Sequence, residues 1–477
     1  MERQLIHPMD ETYHEYLKDE SKMRGAADSI SFPESEAEIG KILQVMRENQ
    51  TPVTIQGGKT GVVGSAVPSR GHIMNLSRMN KVKSFFIAEE GEAFMKVEPG
   101  ITLNELRKAI DRLKTPKAFF WPPDPSESTA TVGGIASTDA MGVCFHLYGK
   151  SVSYVSGIRV MNAEGSIRDL KRGQGAIVIN GESKDLLDLY LGGEGMYGVI
   201  TELTLRLIAK PKEIWGVGFL FEDQEDGMSF ADQLKATSVE VQGAKIAAIE
   251  YLDHTLINAL EMRKNNTTDL KHIPDVAPHI SAMVYVEIHG DKEEAIEEIA
   301  EALMMIGSSF HGDPDKTWAF SGEPEIVKMR NFLHAVAETA ILHIEKVRCE
   351  DPRITKLGID LSLERDGLKT MLSRFQKKLQ KENLKAGYLG HIGSSSLHID
   401  ILPGSYGEFV KGKALFESWA ERFPASLRNA ITSYGIGKLK KSIFLKTASK
   451  ADIEDIIRFK KQLDKNNLWN PGNMVEV

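Results

Sequence analysis

Two short glycine-punctuated stretches hold the residues best suited to chemistry. Gln56-Gly57-Gly58-Lys59-Thr60-Gly61 follows the apolar run Pro52-Val53-Thr54-Ile55, and Pro122-Pro123-Asp124-Pro125-Ser126 runs into Thr131-Val132-Gly133-Gly134-Ile135-Ala136-Ser137. Loops of this kind let backbone N–H groups close on a diphosphate with no Cβ in the way. Together they read as a nucleotide-cofactor signature. A second group lies late in the chain. Alternation in Leu397-His398-Ile399-Asp400-Ile401 puts His398 and Asp400 on one face of a strand, with His391 in the turn before it.

Two further matches are decoys. Gly193-Glu194-Gly195-Met196-Tyr197-Gly198 fits G-x-G-x-x-G letter for letter, but that motif needs a strand before it and a helix after it. Here helix-like Leu186 to Leu191 precedes and a strand from Val199 follows, so the Rossmann reading fails. Gly58-Lys59-Thr60 resembles the tail of a P-loop, yet the glycine required upstream would fall on Val53. Phosphate hydrolysis is disfavoured.

The elements that must position the loops read as mixed helix and strand. Ser35 with Glu38 predicts a helix start, and Ile39, Ile42, Leu43 and Met46 fall on one face. Val53 to Ile55 and Phe94 to Glu98 read as strands, and Thr102 with Glu105 caps a helix carrying Leu106, Ile110 and Leu113. Val199 to Leu207 is a β-branched strand that ends near Pro211, where a domain boundary is placed. Beyond it, Ala282 to Ile288 reads as a strand and Glu293 to Met305 as an acidic amphipathic helix. This irregular succession suggests an antiparallel α+β layer. A last helix carries Ile453, Ile456, Ile457, Phe459 and Leu463 and stops before Asn470-Pro471-Gly472.

At 477 residues the chain predicts two domains or more. A net charge of -8 argues against a nucleic-acid partner. The two cysteines, Cys144 and Cys349, exclude a disulfide scaffold and a Cys-rich iron–sulfur or zinc module. The start of the sequence lacks the order of a secretory signal and no run is long enough for a membrane span, so a reducing cytoplasm is expected.

With the decoys removed, the residues resemble the FAD-linked oxidases and dehydrogenases of vanillyl-alcohol oxidase type. The nearer likeness is to the branch of glycolate oxidase D subunit, D-lactate dehydrogenase and D-2-hydroxyglutarate dehydrogenase. The likeness spans nearly the whole chain. It is carried by Gly57 to Gly61, the Pro-Asp-Pro-Ser run, Thr131 to Gly134, Tyr148-Gly149, and Glu194-Gly195 through Thr201. Gly390-His391-Ile392-Gly393 with Leu397-His398, Gly435-Ile436-Gly437 and Asn470-Pro471-Gly472 complete it. The resemblance implies an α+β fold: a two-subdomain FAD-binding domain plus an α+β substrate-cap domain with an antiparallel sheet. The expected boundaries are 1–213 for the FAD domain, 214–425 for the cap, and 426–477 for a segment returning to the FAD domain.

Carried over by position, Gly57, Gly58, Lys59, Thr60 and Gly61, with Pro123, Asp124, Ser128, Thr131, Gly133, Gly134 and Ser137, would cradle FAD. Tyr148, Glu194, Gly195, Ile200 and Asn470 would complete the cofactor site. No histidine or cysteine occupies the first glycine loop, so non-covalent FAD is expected. Oxidation of a 2-hydroxy acid needs a cation for the carboxylate, a base for the hydroxyl proton and a hydride acceptor. Arg330 matches the family's carboxylate-binding arginine. Where relatives carry a further substrate lysine this chain has Gly358, with Lys356 two residues earlier. His391 and His398 match histidines that hold a divalent metal in many relatives.

The chain departs from its relatives at Ser433-Tyr434, where they have a glutamate ligand and a catalytic histidine. Serine is a poor zinc ligand, which weakens the case for a metal and leaves its occupancy open. Tyr434 becomes useful near Lys438 or Lys440, or as a donor while His391 or His398 accepts the proton. The expected activity is a dehydrogenase for a small hydroxy acid, passing electrons to an electron-transfer flavoprotein or an iron–sulfur subunit. Two other readings remain at this point: a non-redox transferase of alkylglycerone-phosphate synthase type, and a flavin subunit with an altered catalytic site. Oligomeric state is left open, a homodimer included.

Overall fold

Pro211 is where the chain passes from one folded unit into another. In the computed structural model, one unit comprises Met1–Met141, Lys150–Lys210 and Ile431–Val477, and the other Gly142–Gly149 and Pro211–Ala430. The structure describes residues 3–237, 241–264, 274–362, 368–422 and 434–477; Ser433 lies outside them. The fold is α+β in both units. Among the described residues, no helix is long and apolar enough to cross a membrane.

The first unit holds two main sheets. In the smaller, Val53–Gln56, His72–Asn75 and Ser29–Ser31 run parallel, and Ile6–Pro8 adds an antiparallel edge. Helix Glu36–Glu48 is capped by Ser35, whose hydroxyl accepts from the Glu38 N–H. It buries Ile39, Ile42, Leu43 and Met46 against Val53, Met74 and Trp469. The larger sheet is antiparallel, with Val199–Ala209 between Ala93–Val97 and Val155–Met161. Alternate residues Leu203, Leu205 and Leu207 of this strand point into the core, as the period of two requires. Helix Leu187–Tyr190 precedes the glycines at 193–198 and strand Val199–Ala209 follows them, the reverse of a dinucleotide fold.

The last segment closes this unit. After helix Lys450–Leu463 the chain lies beside the first glycine strand: Val53 N–H donates to Leu468 O at 2.7 Å and Asn470 N–H to Val53 O at 2.9 Å. Trp469 is fully buried, and the Lys460 ammonium donates to Asp464 and to the carbonyls of Met196 and Trp469.

The second unit is built on a seven-stranded antiparallel sheet. Its order is Trp318–Ser321, Glu213–Phe221, Ala282–Gly290, Ala244–Asp253, Ala386–His391, Ser396–Ile401, Gly358–Ser362. Directly paired residues of antiparallel strands share a face. The register aligns Tyr285 with Glu250 and Glu250 with His391, and on the same face pairs His398 with Asp360. Helix Glu323–Val347 covers this face through Met329, Phe332 and Val336, and so brings Arg330 to it.

Candidate functional site

In the first unit the site is made of backbone. Strand Val53–Gln56 ends in Gly57 and Gly58, which meet the stretch from Thr129 to Thr131. A Cβ on Gly57 would lie 2.1 Å from Thr131 Oγ1, and one on Gly58 2.8 Å from Thr129 O. Without side chains there, the two loops close on each other as a diphosphate cradle requires. Side chains from outside the loops hold them in place. Gln56 Nε2 donates to Tyr16 O at 2.8 Å and Ala66 O at 2.7 Å, and Asn75 Nδ2 to Gly57 O at 3.1 Å. Lys59 takes φ +60° and sets its ammonium 4.1 Å above the Tyr16 ring. Thr131 caps helix Val132–Thr138, with Gly134 N–H donating to its hydroxyl, and Gly133 lies against Pro99.

The other cofactor candidates divide. Glu194 is buried and accepts from Ser65 Oγ at 2.9 Å, Ile436 N–H at 2.5 Å and Gly437 N–H at 2.9 Å, while its own N–H donates to Ser137 O. Burial raises its carboxyl above the usual range against the pull of those donors. Asn470 reaches the same place: Nδ2 donates to Glu194 O and Oδ1 accepts from Ile55 N–H, both at 2.7 Å, and Gly195 leaves room for it. Asp124 forms an ion pair with Arg107, Ser128 O accepts from Asn104 N–H, and Pro123 is buried. Ile200 lies in the strand paired with Val160. The approach of Gly57 and Gly58 to the stretch from Thr129 to Thr131, which a Cβ would block, fits FAD. Tyr148 differs: it belongs to the second unit, and its phenol bonds His289.

The second unit carries its site on side chains. Glu287 is fully buried and collects five contacts from four neighbours. Arg330 approaches at 2.5 Å and 3.3 Å, His289 Nε2 at 2.7 Å, Tyr285 hydroxyl at 2.8 Å and Cys144 thiol at 3.2 Å. Burial alone would raise this carboxyl, but Arg330 and then His289 hold it well below its ordinary value. Burial pushes the Cys144 thiol and the Tyr285 phenol up, so both stay protonated. Arg330, expected as the substrate's cation, is 26% exposed and already faces Glu287.

Across the sheet, His391 Nδ1 meets Glu250 Oε1 at 2.7 Å and His398 Nδ1 meets Asp360, with the two rings 5.8 Å apart. Burial acts against charge on His391, yet Glu250 prevails and raises its proton affinity. Lys356 Nζ bonds Asp400 at 2.5 Å. Glu250, Glu287, His289 and Asp360 have no role in the sequence analysis, and Cys144 enters it only in the cysteine count. Their signal is Tyr285, Glu287 and His289 at alternate positions of an otherwise apolar strand.

Among the described residues, one group of three ligand-type side chains converges, Cys144, Glu287 and His289. Arg330 already supplies the cation there, so the donor set does not fit a divalent metal. The basic run after Gly437 is held internally: Lys438 bonds Asn473 at 2.7 Å, with burial lowering its ammonium to about 8, and Lys441 pairs with Glu476. Lys440 is the lysine near Tyr434, its ammonium 5.8 Å from the ring centre.

Residues 27–171 match the family described as FAD binding domain, and 211–474 that of FAD linked oxidases, C-terminal domain. The D-lactate dehydrogenase of Anaerostipes hadrus is 26% identical, covering 98% of this chain and 93% of its own. The glycolate oxidase subunit GlcD of Bacillus subtilis (strain 168) is 25% identical over 94% of this chain and 88% of its own. Among solved structures, p-cresol methylhydroxylase with substrate bound superposes with a TM-score of 0.70 at 16% identity, covering 99% of this chain and 94% of its own. Alkyldihydroxyacetonephosphate synthase gives 0.67 at 16% identity, covering 99% and 82%. At such identities the structural likeness speaks for the fold alone.

Proposed function

The chain belongs to the FAD-linked oxidase family, and on that premise we propose that it oxidises a small 2-hydroxy acid and passes the electrons to a separate acceptor protein. The observation that carries this reading is the polar face of the seven-stranded sheet. Three imidazoles there are each set against a carboxylate: His289 on Glu287, His391 on Glu250, and His398 on Asp360. Such pairs bind an anionic substrate and handle its hydroxyl proton.

Non-covalent FAD, held by Gly57 to Gly61, the run from Pro123 to Ser137, Glu194, Gly195, Ile200 and Asn470, supplies the hydride acceptor. His391, whose proton affinity Glu250 raises, and Arg330 attract the substrate carboxylate. Tyr434, with Lys440 beside its ring, donates a hydrogen bond to the substrate. His398 is the second imidazole, and no metal is assigned to it or to His391. Two cysteines are too few for a four-cysteine iron–sulfur cluster, and the proposed acceptor is an electron-transfer flavoprotein or an iron–sulfur subunit rather than oxygen. A cytoplasmic location is proposed from the reduced cysteines; several relatives bear mitochondrial names.

Anaerobic mixing with lactate, glycolate, malate and 2-hydroxyglutarate tests the reading. At least one is expected to bleach the flavin; a purified protein that stays colourless and takes up no FAD sinks it. Tyr434→Phe is expected to slow flavin reduction roughly tenfold, the loss of one hydrogen bond at the reacting centre. Unchanged kinetics would remove this tyrosine from the mechanism.

A further inference from the structure

The six-stranded sheet of the first unit has two edges, Val82–Ile87 and Ile167–Lys171, and they differ in what they expose. An edge strand offers a row of backbone donors and acceptors to any other chain, and folded proteins usually blunt it with charge. Ile167–Lys171 is blunted: Arg168, Asp169 and Lys171 make up three of its five residues. The other edge is not. Residues 84–88 carry no charge, and Val82, Phe86 and Ile87 are 40%, 42% and 47% exposed.

Among the described residues, strand Val82–Ile87 pairs on one side only, with Ala93–Val97. Ala88 N–H donates to Glu92 O, and hydrogen-bonded pairs alternate along an antiparallel ladder. Phe86 and Ser84, opposite Phe94 and Lys96, therefore also turn their backbone groups to the neighbouring strand. Phe85 and Ile87 turn theirs outward. Both faces of this edge are apolar. Phe86 stacks on Phe94 with ring centres 5.4 Å apart, while Phe85 and Ile87 share the opposite face with the buried Met95 and Ala93.

The strand is complementary to itself when run against a copy in the opposite direction. The register that joins the outward groups of Phe85 to those of Ile87 in a second copy puts Phe86 on the two-fold axis, against its own counterpart. It also sets Glu89 of the copy opposite Lys83 and diagonally across from Lys81. Lysines before the apolar run and glutamates after it thus meet at both ends, although Lys83 also reaches Glu98 of its own chain at 3.1 Å. A parallel copy would instead set Lys81 against lysine and Glu89 against glutamate, which is unfavourable.

We propose that this edge is where two copies of the chain associate, by antiparallel pairing of residues 84–88 about a two-fold axis at Phe86. Such a contact presents the same patch on both copies and closes at two. The bulge between Val82 and Ser84 ends the flat stretch, so the interface is small and its dissociation constant lies in the micromolar range.

The test uses the FAD-loaded full chain. In sedimentation velocity between about 1 and 200 µM, wild type is expected to pass from monomer to dimer. Phe86→Lys sets two ammonium groups face to face on the axis, and is expected to keep its flavin and stay monomeric. Glu89→Lys is expected to raise the dissociation constant roughly tenfold, by opposing like charges.

A crosslink reads the register directly. The two Cα atoms of a non-hydrogen-bonded antiparallel pair lie about 4.5 Å apart, within disulfide reach. With the exposed Cys349 first changed to serine, Phe86→Cys is expected to give a disulfide dimer in oxidised glutathione. Val178→Cys, exposed on a different sheet, is not. A monomer throughout, a dimer that Phe86→Lys leaves intact, or a crosslink no better at 86 than at 178 overturns the proposal. Particles that grow past the dimer overturn it too, because a closed two-fold contact stops at two.

Discussion

The cofactor unit and the sheet unit use opposite materials for their sites. Around Gly57, Gly58 and Gly133 the first unit removes side chains, so that backbone approaches backbone, and its few anchoring groups, Gln56, Asn75 and Asn470, bind main-chain atoms. The second unit gathers side chains from separate strands and a helix onto one buried carboxylate. A backbone site tolerates loss of any one anchor better than a charged site tolerates loss of its central ion. A neutral hydrogen bond contributes about 1 kcal/mol, while an uncompensated buried charge costs several.

That contrast is sharpened first at Glu287. Glu287→Ala leaves Arg330, His289 and Tyr285 without their shared acceptor, and is expected to cost about 4 kcal/mol in urea denaturation. A loss below about 1 kcal/mol would put the network in the class of surface ion pairs and erase the contrast.

The next effect belongs to the first unit and depends on pH. His72 is fully buried between the hydroxyls of Ser29 and Ser31, and burial lowers its imidazole from 6.5 to about 3. Between those values the unfolded chain binds a proton that the folded one does not, so stability falls on acidification. Going from pH 7 to pH 5 is expected to remove about 2 kcal/mol through this residue, and the loss continues toward pH 3. Hydrogen exchange in strands Ser29–Ser31 and His72–Asn75 reads it locally, and His72→Gln should flatten the slope. An equal slope in both proteins would clear this histidine.

The smallest effect probes the cradle. Gly57→Ala drives a Cβ into Thr131 Oγ1 and is expected to weaken FAD binding roughly tenfold, about 1.4 kcal/mol by flavin fluorescence titration. Adding Thr131→Ala removes the clashing atom and should restore most of the affinity. Gly133→Ala meets the ring and carbonyl of Pro99 and has no such rescue. Tight binding in Gly57→Ala alone would show that the loops open at little cost.

Legibility in the sequence follows the same division. Glycine loops and caps are local, so the close approach of the glycine loops, the reversed order around Val199 and the Thr102 capping box with Glu105 were readable from neighbours in the chain. The helix start at Ser35 was readable as well, although Glu38 turns its carboxylate to Glu34 N–H. The carboxylate network was not readable, because its members meet across 143 residues for Cys144 and Glu287 and 141 for His391 and Glu250. Only strand register brings them together, and period-two alternation fixes a face without naming the partner strand. Tyr148 lies between these two cases. Its motif with Gly149 pointed to the cofactor, whereas its hydroxyl is directed to His289.

The late return of Leu468, Trp469 and Asn470 to the strand at Val53 bears on biosynthesis. A ribosome delivers every residue of the seven-stranded sheet before it delivers the tryptophan that fills the other unit's core. During translation the early glycine loops wait, with Val53 lacking its neighbours, until the stretch containing Asn470 has cleared the exit tunnel. Flavin loading is expected to wait for that stretch, and a chain cut upstream of Trp469 is expected to take up no FAD.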